Sequence, residues 1–310
     1  MDVILKFLTL YLLIGAGYGV QKYLKLPLEK TSRFFLYIVL PAFTVGKLGY
    51  GNLVPADLGK LLMAFLIAVG VCGICYLAAH YIWQEKDKKN MKYLVAAAVP
   101  NANTGYFGIP VAMLLFSDDL VAKYILSNFG IGIFQLTLGY YLFAKSHATM
   151  MDSLRKLMGF PAFWAMVAGL GINFLHIDLT APVESGIILL SDIAAWIFFI
   201  GGMMIIGMGL ANLEPKDINW KTVIWGNVLC FVLWPLIAVS LVAVDAAFLH
   251  LLAEGEARIF WLMAACPIGA NAVLYAHDFK LHPGQATLMV MSSTLLAMPI
   301  LGLAAPFLLQ

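Results

Sequence analysis

The run Pro100-Asn101-Ala102-Asn103-Thr104-Gly105-Tyr106-Phe107-Gly108-Ile109-Pro110 interrupts an apolar segment at about 93–116. A second run, Pro267-Ile268-Gly269-Ala270-Asn271-Ala272, interrupts another at about 257–279. Each segment is otherwise long enough to cross a bilayer, which takes roughly 20 apolar residues. Proline removes a backbone donor and clashes with the preceding turn. Glycine and asparagine weaken a helix further. Both interruptions fall near mid-span: at helical rise, Lys92 to Pro100 is about 12 Å and Arg258 to Pro267 about 13 Å, close to half of a ~30 Å hydrocarbon core.

Composition extends this pattern to the whole chain. Of 310 residues, 62% are hydrophobic and 12% charged, too few polar groups to cover a soluble surface. Four cysteines do not make a secreted disulfide scaffold. A net charge of +2 leaves no basic face for nucleic acid. Ten apolar segments are read at about 3–21, 31–48, 57–83, 93–116, 119–144, 159–176, 185–211, 218–249, 257–279 and 285–308. They predict an all-α polytopic membrane protein with ten transmembrane helices. The first segment opens with Met1-Asp2 and lacks a basic leader, so it is read as a retained span and not a signal peptide.

Ten spans divide the 19 lysines and arginines unequally, with 14 on one side and 5 on the other. The richer side, which includes Lys86, Lys88, Lys89 and Lys92, is assigned to the inside, and both termini to the outside. This is the orientation expected in a plasma or inner membrane. The two interruptions stand in the fourth and ninth spans, five spans apart, so the second runs through the membrane in the opposite sense. Two inverted five-helix repeats follow, 1–145 and 159–310, with broken helices four and nine crossed at the midplane.

Unwound backbone at that depth is tolerated only inside protein or beside a watery cavity. Helix N-termini near Gly105 and Ala272 suit an anion. Helix C-termini near Val99 and Cys266 offer carbonyls to a cation. The amides of Asn103 and Asn271 can donate or accept beside them, next to Thr104 and Gly269. Pro100, Asn101, Pro110 and Pro267 shape the breaks. The competing reading is a pair of packing kinks, since proline and glycine are common in membrane helices.

Other polar groups are weighed in the same way. Asp192, inside the seventh segment, is a candidate for proton uptake and release; its alternatives are a structural hydrogen bond or an interfacial position. Ser127 and Asn128, with Ser292 and Ser293 at comparable places in the second repeat, form a possible cation site, or else pack helix against helix. Cys72 and Cys75 have CxxC spacing but no second ligand pair, which points to packing and to neither metal nor redox chemistry. Glycines at 15, 17, 19, 201, 202, 207 and 209 allow close helix approach and could serve a dimer contact. No cofactor is expected.

At the interrupted segments the chain resembles the auxin efflux carrier family, which includes the plant PIN proteins and bacterial small-acid carriers. The resemblance lies in Asn103, Thr104, Gly105, Gly108, Ile109 and Pro110, then in Pro267, Gly269 and Asn271. It continues through Tyr275-Ala276-His277-Asp278, His282-Pro283 and Leu296-Ala297-Met298-Pro299-Ile300. It covers essentially the whole length and implies a mobile bundle of segments three to five and eight to ten. Segments one, two, six and seven would form a scaffold, often dimeric, with the substrate between scaffold and bundle. Asn103 would be the anion-facing amide, lined by Gln135 and Tyr140, and by Thr44 from the second segment. Asp57 and Lys60 resemble an Asp/Lys pair implicated in charge relay, at i, i+3 in place of i, i+4. The short central loop points to the microbial branch.

The resulting expectation is a secondary transporter of a small organic anion, working by an elevator-like movement and proton-coupled through Asp57 or Asp192. The alternative is a sodium-coupled symporter of the bile-acid type, against which stands Asn271 where an acidic residue would sit. An enzyme is not expected, because no HExxH, Gly-x-Gly-Asp or Gly-x-Ser-Gly motif occurs. The expected partners are the organic anion, the bilayer and a second copy of the chain through the scaffold helices.

Overall fold

The computed structural model describes residues 3–84, 90–144, 149–212 and 219–308. Helices carry the fold, and no strand occurs among the described residues. In chain order they are α1 (Val3–Leu24), α2 (Leu28–Phe34), α3 (Leu40–Gly49), α4 (Leu58–Ile82), α5 (Met91–Ala98), α6 (Ile109–Leu115), α7 (Asp118–Phe134) and α8 (Tyr140–Ala144). The second half holds α9 (Met150–Met158), α10 (Pro161–Phe174), α11 (Ala181–Ala211), α12 (Trp220–Val228), α13 (Trp234–Val244), α14 (Arg258–Ala265), α15 (Asn271–Asp278) and α16 (Pro283–Leu308).

Widened π turns stand at Phe35–Val39, Gln135–Gly139 and Leu229–Leu233, each joining two helices end to end, at Thr104–Gly108, which opens α6, and at Asp245–Leu249, which closes α13. Three of the five end two residues before a proline, at Pro41, Pro110 and Pro235. The reason is local. A proline ring collides with the carbonyl four residues back and donates no hydrogen bond, and one widened turn absorbs both defects without ending the helix.

Five helical stretches are long and apolar enough to cross a membrane: Pro55–Ile82, Asp118–Ala144, Ala181–Ala211, Trp220–Leu249 and Pro283–Pro306. A sixth, α9 with α10, is bent by 60°. The interrupted segments yield short pieces, as a break must. The long helices turn large apolar side chains outward, among them Leu62, Leu66 and Leu77 on α4, and Leu189, Leu190 and Trp196 on α11. Helices apolar on every face belong in lipid or in a large core. The chain is an all-α protein with the helices of an integral membrane protein. All four cysteines, Cys72, Cys75, Cys230 and Cys266, are free and buried.

The chain folds as two units. The first comprises Met1–Lys60, Gly105–Phe129 and Met158–Asn212. Here α1 lies along α11, and α3 packs on both α10 and α11. Close approach follows from paired glycines: Gly17 faces the Met204 carbonyl and Gly207 the Ile14 carbonyl. Phe198 of α11 stacks on Phe43 and on Tyr106, at ring separations of 6.1 and 5.7 Å. The Tyr106 hydroxyl donates to the Ser32 carbonyl at 3.0 Å.

The second unit comprises Leu61–Thr104, Gly130–Leu157 and Leu213–Gln310. Gly130 lets α7 close on α4, where a side chain would strike the Leu61 carbonyl. Two buried acids in this unit have structural work. Asp245 accepts the backbone N–H groups of Leu251 and Leu252 at 2.9 and 3.1 Å, and Glu256 that of Ala253 at 2.8 Å. These contacts satisfy the chain where π turn Asp245–Leu249 runs into the loop before α14.

Candidate functional site

In the second unit α5 ends at Ala98 and α14 at Ala265, each two residues before its proline. The released strands cross. Ala102 and Ile268 form an antiparallel bridge, in which Asn103 N–H donates to the Pro267 carbonyl and Gly269 N–H to the Asn101 carbonyl, both at 2.7 Å. Each break thus accepts one backbone N–H of the other.

The surrounding helices add three contacts to this backbone. Gln135 Nε2 donates to the Ala102 carbonyl at 2.9 Å. The Ile268 N–H donates to Ser293 Oγ at 3.1 Å. The Cys230 thiol donates to the Cys266 carbonyl at 3.7 Å. Gln135 opens the one π turn within α7–α8, and such turns recur at functional positions.

One group stands outside this accounting. Asn101 is 1% exposed, and both its Oδ1 and its Nδ2 lack a hydrogen-bond partner among the described residues. Buried amide atoms rarely go unpaired. The side chains of Asn103 and Asn271 are half-buried and likewise make no hydrogen bond among the described residues. The crossing therefore gathers three asparagine amides with unused donors and acceptors beside hydrogen-bonded backbone.

Gly269 sets the spacing. A methyl group there would lie 3.0 Å from the Asn101 carbonyl oxygen and 3.2 Å from its Oδ1. Gly269→Ala is expected to cost about 1–3 kcal/mol through this overpacking. Gly105→Ala, where a methyl meets nothing within 4 Å, should change stability by less than about 1 kcal/mol. Unfolding midpoints in detergent check the contrast.

The crossing brings together Pro100, Asn101, Asn103, Gln135, Pro267, Gly269 and Ser293. Thr104 is buried at its edge. Tyr140 packs edge-on against Tyr275 and Phe279, at 5.4 and 5.3 Å. Its ring face is covered by the Lys156 ammonium, 3.8 Å from the centroid, which also lies 4.3 Å from the Tyr275 ring. Ser292 accepts from Asn227 Nδ2 at 2.8 Å, while Ser293 donates to the Val290 carbonyl at 3.1 Å. Both serines are thus already engaged. Neither Lys156 nor Asn227 was singled out in the sequence, although Asn227 is a polar residue inside an apolar run.

The remaining expected residues lie in the first unit. Thr44 is buried, and its hydroxyl has no partner among the described residues. Ser127 donates to the Lys123 carbonyl of its own helix at 2.8 Å, and Asn128 beside it is half-buried. Pro110 follows its π turn at the start of α6. Asp57 and Lys60 meet across one helical turn as a buried, hydrogen-bonded ion pair. Asp192 is not the lone carboxylate that its apolar neighbours suggest. It is half-exposed and pairs with Lys47 at 3.1 Å. With 31 residues, α11 is longer than a ~30 Å core requires. Lys47 lies two residues from the end of α3, and Asp192 is the twelfth residue of α11.

No protein-family model and no curated protein matches the chain.

Proposed function

We propose that the chain is a secondary carrier of small organic anions, built of ten spans in two inverted repeats. It would work by an elevator-like movement of the crossover bundle, as a dimer through the scaffold helices. The observation that carries this reading is the crossing of two broken helices at which Asn101, Asn103 and Asn271 hold unused amide groups. A carboxylate fits such a place. It accepts from amide N–H groups, and its cost in low dielectric falls as those donors are supplied in advance. The orphaned amide of Asn101 is hard to account for as packing alone, because an unpaired buried polar group destabilises the fold.

The membrane potential constrains the direction. One charge crossing 100 mV involves about 2.3 kcal/mol. A monoanion leaves a negative interior without coupling, whereas uptake requires a co-transported cation. Asp57 and Asp192 are the carboxylates considered for a proton.

Thermal unfolding of the purified protein with monocarboxylates, dicarboxylates and indole acids, with and without sodium, tests the reading. A true substrate at a hundred times its Kd stabilises by about 2.7 kcal/mol. Asn103→Ala is expected to abolish that stabilisation while leaving the ligand-free midpoint nearly unchanged. A carboxylate that stabilises the variant as well as the parent would remove the crossing from the binding site. Stabilisation only with sodium would favour the symporter reading.

A further inference from the structure

A groove of about 550 Å³ runs along the outside of α4 in the second unit. Gly70, Gly73, Tyr76 and Leu77 form one wall, and Leu138 and Leu142 the other. Apart from the Tyr76 hydroxyl and one thiol, its lining is hydrocarbon. Its size falls among those of ordinary small-molecule sites.

Gly73 has no packing role among the described residues. It is exposed, and a methyl group there would meet no heavy atom within 4 Å. Gly70 is scarcely tighter, with only an Ile237 methyl at 3.7 Å. Glycine in mid-helix disfavours the helix. Two glycines kept where nothing of this chain needs the room leave a hollow for something else.

The inner end of the groove carries a charge. Lys92 Nζ stands 5.1 Å from the centroid of the Tyr76 ring and 5.4 Å from that of Tyr93. The two rings meet edge-on at 5.7 Å. No carboxylate pairs with Lys92 among the described residues. Six residues separate Tyr76 from Ile82, the last residue of α4, or about 9 Å. By the orientation read from the lysines, this is the depth of the inner headgroups.

We propose that the groove binds one acyl chain of an anionic phospholipid of the inner leaflet, with Lys92 holding its phosphate. The chain lies over Gly73 and Gly70, between α4 and the Leu138–Leu142 ridge. The phosphate meets the ammonium at the Tyr76 end. The two tyrosine faces, which would otherwise suit a choline, are already occupied by Lys92. A zwitterionic headgroup therefore gains nothing from them, and net negative charge is selected.

The test measures the lipid that stays with the purified full-length chain after equilibration in mixed micelles of phosphatidylglycerol and phosphatidylcholine. Phosphatidylglycerol is expected to be enriched about fivefold, the effect of one basic residue near an anionic surface. Gly73→Leu should remove the retained lipid of both kinds, with a lipid-free unfolding midpoint equal to or above the parent's. Lys92→Gln should retain lipid but lose the preference. Retention of phosphatidylglycerol by Gly73→Leu at the parent's level would overturn the site, and an unchanged preference in Lys92→Gln would overturn the headgroup contact. Neither result bears on stabilisation by carboxylates, so failure here and failure of the transport reading are separable.

Discussion

Lys60→Ala is expected to destabilise the protein by about 3–5 kcal/mol, the usual cost of orphaning one member of a buried ion pair. Asp57 and Lys60 are 1% and 2% exposed. One carboxylate oxygen of Asp57 accepts the Val54 N–H at 2.8 Å, and the other accepts from Lys60. Without that ammonium, the nearest remaining cation is Lys123, 4.0 Å away. The carboxylate must then stay charged and poorly solvated, or take up a proton. Replacing both partners, as Asp57→Asn with Lys60→Met, should recover most of the loss, because desolvation of the two charges disappears with them. Lys47→Ala breaks the half-exposed pair with Asp192 and should cost only about 0.2–1 kcal/mol. A double-mutant cycle on unfolding free energy separates these cases, and equal costs for Lys60→Ala and Lys47→Ala would show that Asp57 is not desolvated.

Gly207→Val should be comparably severe. Its side chain would overlap the Ile14 carbonyl of α1, while Gly17, facing the Met204 carbonyl, closes the same contact from the other helix. Overpacking usually costs about 1–3 kcal/mol when side chains can move aside. Here the obstacle is backbone, so α1 must part from α11, and the cost should reach the top of that range or exceed it. Gly15→Val and Gly209→Val are the controls, since both positions open onto space within 4 Å. Yield of monodisperse protein and the unfolding midpoint should fall for Gly207→Val alone. Equal tolerance of all three would mean that α1 and α11 are not closely packed.

These glycines also show what a sequence can carry. Gly15, Gly17, Gly207 and Gly209 look alike in an apolar run, because spacing records where a helix is slim and not which side faces a neighbour. The breaks at Pro100 and Pro267 were legible, since proline, glycine and asparagine act on their own backbone. The Asp57–Lys60 pair was legible for the same local reason, one helical turn of separation. The bridge from Ala102 to Ile268 was not, because its hydrogen bonds join main-chain atoms, whose partners no side-chain pattern records. The pairing of Asp192 with Lys47 was hidden too, at 145 residues apart. Asn103 was expected at the site because its amide stands beside a broken helix end, whereas the orphaned amide of Asn101 emerges only from counting hydrogen bonds. The π turns lie between these extremes: Pro41 and Pro235 announce a disturbance in the helix, but not that the chain absorbs it in one widened turn and continues.

The four native thiols are free and buried. Cys75, Cys230 and Cys266 are at most 1% exposed, and Cys72 borders only the apolar groove on α4, where a charged, water-soluble maleimide partitions poorly. A cysteine introduced at an exposed position would then be the sole point of attachment for a fluorophore or spin label, with every native cysteine left in place. Movements during a transport cycle can be followed by distance measurements on the natural sequence plus two chosen sites.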